Sequence, residues 1–89
     1  MTASMTKRQI ELARHALGLP NERNRSYRNL FCAMPSLLEG GKYMEWSGLV
    51  ASGLATMQPG GTLDFFYLAR AGAEMALLPG ESLDPEDFP

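Results

Sequence analysis

Three arginines, Arg23, Arg25 and Arg28, are crowded into the polar run NERNRSYRN at residues 21–29, and Lys42 follows at a distance. Cations so placed can neutralise phosphates, the main source of affinity for duplex DNA. Tyr27, Asn24 and Asn29 stand among them and can add hydrogen bonds to a sugar-phosphate backbone or to base edges. The residues with chemistry of this kind are therefore Arg23, Arg25, Arg28, Lys42 and Tyr27, a candidate DNA- or anion-binding set.

Other chemistries find less to work with. His15 and Cys32 are the sole histidine and cysteine, so one chain lacks the ligands of a zinc site and an intrachain disulfide. Cys32, between Phe31 and Ala33, reads as a buried thiol. Glu39 with Glu45, or Asp64 with Glu74, belong to no recognisable acid/base arrangement, and Ser36, Ser47 and Ser52 lack a G-x-S-x-G elbow. Gly40-Gly41 and Gly60-Gly61 are turns and not phosphate-binding loops. No enzyme, cofactor, metal or small-molecule substrate is expected.

Eighty-nine residues with 45% hydrophobic content allow one small folded domain. No apolar run approaches the roughly 18 residues that cross a bilayer, and residues 1–5 lack the apolar core of a signal peptide. The expected compartment is the cytoplasm, in a bacterial host cell. The net charge of −2 conceals an asymmetry. Residues 1–42 carry seven Lys or Arg against three Glu, a balance of +4, and residues 43–89 carry Arg70 against seven acids, a balance of −6. This reads as an anion-binding face opposite an acidic tail, or as solvated surface plus a solubilising tail.

The elements that must position these residues follow from local chemistry. Thr6 and Gln9 make a capping box, Ile10, Ala13 and Leu17 form an apolar stripe widened by Leu12 and Ala16, and Gly18 and Pro20 stop the helix, which spans residues 7–17. Residues 21–29 form an exposed loop. The run LFCAM at 30–34 suits a short buried strand, with a short helix as the alternative. Residues 35–41 make a turn or one helical turn. A second helix over 42–52 puts Tyr43, Trp46, Leu49 and Val50 on one face. Residues 55–58 and 63–68 pair as a hairpin across Pro59-Gly60-Gly61, with Phe66 and Leu68 on one side and Phe65 and Tyr67 on the other. A last helix covers about 70–77. Residues 79–89 are acidic and proline-punctuated, hence expected to be a disordered tail on a domain of residues 1–78.

The stretch L-V-x-x-G-L-A, a hairpin, then F-Y-L-A-R-A-G-A-E-M-A-L, is similar to the pattern that closes MarR- and PadR-type winged helices. Leu49, Gly53, Leu54, Leu68, Gly72 and Ala76-Leu77 occupy the matching positions, and Ala69 stands where a capping Thr is usual. Residues 6–78, with A-R-H-A-L-G-L, S-Y-R-N-L-F and the G-L exit, also resemble small phage and prophage proteins that carry no activity to transfer. The resemblance implies an α+β, winged-helix-like fold of about three helices, a hairpin wing at 55–68 and a short strand near 30–34. In such a fold the helix before the wing would read DNA, yet YMEWSGLVAS carries Glu45 and only Lys42 at its start, and the wing MQPGGTLD has no base. A sequence pI near 5.2 points the same way. The reading that follows is a binding module for a protein partner or a second copy, as in a homodimer, through Tyr43, Trp46, Phe65 and Tyr67, with Met34, Met44 and Met57 as adaptable contacts. DNA recognition through the 23–28 loop is the alternative.

Overall fold

The first helix begins where its capping chemistry requires. In the computed structural model, which describes residues 4–35 and 41–89, the Thr6 hydroxyl accepts from the Gln9 amide at 3.1 Å, and the Thr6 amide donates to the Gln9 side chain at 3.0 Å. Helix α1 then runs Lys7–Leu17 and ends on Gly18 at φ 81°, burying Leu12, Ala13, Ala16 and Leu17. Strand β1 (Phe31–Ala33), helix α2 (Lys42–Ala51), the hairpin strands β2 (Ala55–Gly60) and β3 (Leu63–Leu68) and helix α3 (Arg70–Met75) complete a small α+β domain. The three strands form an antiparallel sheet in the order β1-β3-β2. Whether residues 36–40 add a helical turn lies outside the described residues.

The hairpin turns two residues later than the Pro-Gly-Gly signal suggests. Pro59 and Gly60 still pair, with Asp64 and Leu63, and the turn is Gly61-Thr62. Gly61 has φ +82°, a value natural to glycine at the first position of a tight hairpin turn. Pro59 is tolerated because β2 is an edge strand, whose outer side asks for no amide.

Alternation sorts the sheet's residues. Phe66 and Leu68 are buried, and Phe31 and Ala33 share their face across the β1–β3 register. Cys32, one residue out of phase, points to the opposite face and is exposed, which corrects the expectation of a buried thiol. Phe65 and Tyr67 stand on that opposite face, each half-buried, and the Phe65 ring lies over Gly60.

Trp46 occupies the centre. It is 0% exposed, with Phe31 stacked at 5.2 Å on centroids and Phe66 at 5.6 Å, while Tyr43 meets Phe66 edge-on. One ring thus joins α2 to both β1 and β3. This overturns its assignment to an interface: helical spacing with Leu49 carries it inward. Tyr43 is half-buried and donates to Asp64 at 2.5 Å, so its hydroxyl is engaged within the fold. That hydrogen bond, then burial and the carboxylate's charge, push the phenol above its ordinary value of 10.0.

The C-terminal segment is not a free tail here. Phe88 is 7% exposed and belongs to the core cluster, and Arg70 donates to the carbonyl oxygens of Phe88 and Pro89. Composition alone misses this because the groups that hold the segment, Arg14 and Arg70 among them, lie far away in sequence.

Trp46→Ala removes the contact between helix and sheet and is expected to cost about 3–5 kcal/mol. Against a total of about 5–10 kcal/mol for a domain of this size, urea denaturation should show the midpoint fall by about half. An unchanged midpoint would return Trp46 to the surface.

Candidate binding groove of the arginine loop and the C-terminal segment

The loop at residues 21–28 is built around Asn21. Its side-chain amide donates to the carbonyls of Gly18 at 3.1 Å and Arg25 at 2.8 Å, and its oxygen accepts from the backbone amides of Arg23 at 3.0 Å and Arg25 at 3.4 Å. Such wrapping is the habit of an Asn side chain in a turn. Asn24 takes φ 53°, the left-handed region that Asn tolerates better than most residues.

Both ends of the loop are tied to α1 and β3. The Tyr27 amide donates to Leu17 at 3.2 Å and the Leu30 amide to Ala16 at 3.3 Å. Asn29 exchanges two bonds with the Leu68 backbone, at 3.0 and 2.8 Å, and so continues the β1–β3 pairing by side chain. Its amide is therefore committed to the sheet, not offered to a base edge.

The C-terminal segment closes the other side. Ser82 pairs with Arg25 in a parallel bridge: the Ser26 amide donates to the Ser82 carbonyl at 3.0 Å, and the Ser82 amide donates to the Asn24 carbonyl at 2.9 Å. Ser26, 2% exposed, accepts from the Asp84 amide at 2.8 Å through its hydroxyl. Nearby, Arg14 grips Glu81 with two bonds, at 2.5 and 2.8 Å, and also donates to the Ala76 carbonyl at 2.9 Å. Hydrogen bonding to Arg14 is the main reason the Glu81 carboxyl is held below its ordinary value of 4.5; burial opposes the shift, and the Leu78 amide and the arginine's charge add to it.

Between loop and segment lies an open groove of about 680 Å³, lined by Asn21, Glu22, Arg23, Arg25, Ser26 and Tyr27 of the loop and by Asp84, Pro85 and Glu86 of the segment. No side-chain partner for the Arg23 or Arg25 guanidinium lies among the described residues. Tyr27 is 61% exposed, but its ring lies against Gly18, where a Cβ would collide with it, and the Arg28 guanidinium stands 5.3 Å from its centroid. Arg28 also donates to the His15 carbonyl at 2.8 Å.

The sequence-derived cations therefore divide. Arg23, Arg25 and Tyr27 share the groove, Arg28 braces the loop from the α1 side, and Lys42 stands exposed at the start of α2. Of the four aromatics read as interface, Trp46 is core and Tyr43 is bonded to Asp64, which leaves Phe65 and Tyr67 half-buried on the sheet's outer face. Met34, Met57 and, on α2, Met44 are exposed. Sequence reading missed Ser82 and Asp84 as partners of the loop, and Ser26 as the loop residue that receives them; the charge imbalance between the two halves of the chain was the available signal.

Among the described residues no three His, Cys, Asp or Glu side chains come together as metal ligands, and no helix is long and apolar enough to cross a membrane. Comparison with protein-family models, with curated proteins and with solved structures returns no match.

Glu81 gives this site a pH signature. A carboxyl held below its ordinary value stabilises the fold fully above pH 4.5 and loses that contribution as pH falls through the depressed folded-state value. Glu81→Gln should thus lower thermal stability at neutral pH and flatten its decline below pH 4.5, measured by thermal melts across pH. A variant that matches the parent at neutral pH would contradict the ion pair.

Proposed function

We propose that this chain is a small non-enzymatic binding module of winged-helix-like fold, and that it takes a polypeptide segment, its own kind included, in the groove between the arginine loop and the C-terminal segment. The order helix, strand, helix, hairpin, helix supports the winged-helix-like part of the reading. Its likeness to phage and prophage proteins suggests a bacterial host's cytoplasm as the setting.

One observation carries the choice of ligand. Arg23 and Arg25 face a wall that bears Asp84 and Glu86. A duplex presents a negatively charged backbone, and its phosphates would meet the three carboxylates of Glu22, Asp84 and Glu86 against the two guanidinium groups of Arg23 and Arg25. A peptide carries donors, acceptors and both signs of charge, and complementary patterning of that kind favours protein recognition. The helix ahead of the hairpin adds little for DNA: its Glu45 pairs with Arg8 at 3.9 Å, and Lys42 is its one cation.

Amide NMR spectra recorded over a range of protein concentrations, and separately with a mixed-sequence duplex, test this reading. Concentration-dependent shifts at residues 21–28 and 81–87, reduced by Arg23→Ala/Arg25→Ala, are expected, with no response to the duplex. Shifts on Arg23–Arg28 and Lys42 that appear with duplex and fade between about 50 and 200 mM salt would replace it with DNA recognition.

A further inference from the structure

The sheet has two faces, and the described helices take one of them. Trp46 and Tyr43 of α2 meet Phe31 and Phe66, His15 of α1 meets Phe31, and Ala73 of α3 joins the same buried cluster. Among the described residues, Leu63, Phe65 and Tyr67 belong neither to that cluster nor to the hydrophobics packed against it. They lie on the other face.

The register fills in that face row by row. Cys32, Phe65 and Gln58 form its middle row across β1, β3 and β2. Tyr67 pairs with Thr56 on one side of it, and Leu63 with Gly60 on the other. Leu30 and Met34 flank β1 and are 42% and 38% exposed, and alternation sets them on the same face as Cys32. A sheet with one face in water ordinarily carries polar residues there. Here none of the nine positions bears a charged side chain, and the six on the β1 and β3 rows are apolar or aromatic. Contiguous apolar area of this kind marks a contact surface.

The distribution of sizes favours an identical partner. About the middle row the face is nearly palindromic: Leu30 and Met34 flank Cys32, Tyr67 and Leu63 flank Phe65, and the small Thr56 and Gly60 flank Gln58. A two-fold axis along that row, between two stacked sheets, lays β1 on β1 and β3 on β3. Leu30 then meets Met34 of the other copy, Phe65 meets Phe65, and the two Gln58 amides can bond each other. A surface that meets its own image must also be free of charge near the axis, where any charge would face its like. This one is.

We propose that two copies of this chain associate face to face through the outer face of the sheet, as an aligned sandwich about this axis. The face shares no residue with the groove, so the proposal goes beyond the groove reading and is tested apart from it. Three strands about 4.8 Å apart, each offering about five residues, give on the order of 250 Å² of sheet per copy. A standard interface takes roughly 800 Å² per partner, so this dimer forms only at high protein concentration.

Amide spectra of the native chain, diluted from about 1 mM, should shift at residues 30–34 and 63–67. In a mixture of isotope-labelled and unlabelled copies, a filtered NOE should join the Leu30 methyls to the Met34 methyl. Within one chain about 13 Å of strand separates the two, beyond the reach of an NOE. Cys32→Asp and Cys32→Lys put like charges across the axis at an exposed position, so each alone should associate roughly tenfold more weakly or worse. Mixed in equal amounts, they should recover a heterodimer of twice 9.8 kDa by sedimentation velocity. A native chain that stays monomeric at about 1 mM, or a dimer that neither charge weakens, overturns the proposal. If either variant fails to fold, the filtered NOE in the native chain decides, and its absence overturns the proposal. Shifts confined to residues 21–28 and 81–87 also overturn it while leaving the groove reading in place; shifts confined to the sheet face do the reverse.

Discussion

Trp46 is fully buried, and the packing of the domain converges on it. Phe31 from β1 and Phe66 from β3 stack on it at 5.2 and 5.6 Å, and His15 of α1 meets Phe31 edge-on at 5.7 Å. A large aromatic ring stacked with two others combines area burial with favourable ring geometry. Through these contacts α1, α2, β1 and β3 are fixed to one another. The indole N–H is left without an acceptor among the described residues, a penalty that the packing outweighs.

The binding surface depends on this arrangement at one remove. β1 is only three residues long, yet it decides where the loop before it can run, because Asn29 pairs with Leu68 just beyond the strand. With the loop anchored there and at the end of α1, the backbone of residues 24–26 is presented edge-outward. The C-terminal segment takes up those backbone groups, and Ser26 is buried beneath it. Acidic residues of the second half of the chain are thereby brought to basic residues of the first. The charge asymmetry resolves into a contact between the two.

How much of this the sequence disclosed depends on the range of the interaction concerned. Helix α1 is legible to the residue because Thr6, Gln9 and Gly18 act on their immediate neighbours. Phe65 to Leu68 alternate as a strand must, which groups Phe66 with Leu68 and Phe65 with Tyr67 as the sheet does, while the buried side is decided by Trp46. Cys32 was misplaced because a five-residue apolar run hides its own alternation, and only the register with Phe65 reveals which way the thiol faces. Trp46 lay on the correct helix face, yet its burial follows from Phe31 and Phe66, fifteen and twenty residues away in opposite directions. The C-terminal segment was the least legible. Its partners Arg14 and Arg70 are 67 and 18 residues from the groups they hold, and no local rule connects them.

The groove exists only while the segment after α3 is docked on the arginine loop. Native-state amide hydrogen exchange at Ser26 and Ser82 reads this directly, since both amides are donors in the bridge that joins the two. Protection of both, lost together in Glu81→Gln, is the predicted result. Exchange of the Ser82 amide at the rate of an unstructured chain, with α1 amides still protected, would show that the segment is free and contradict the account.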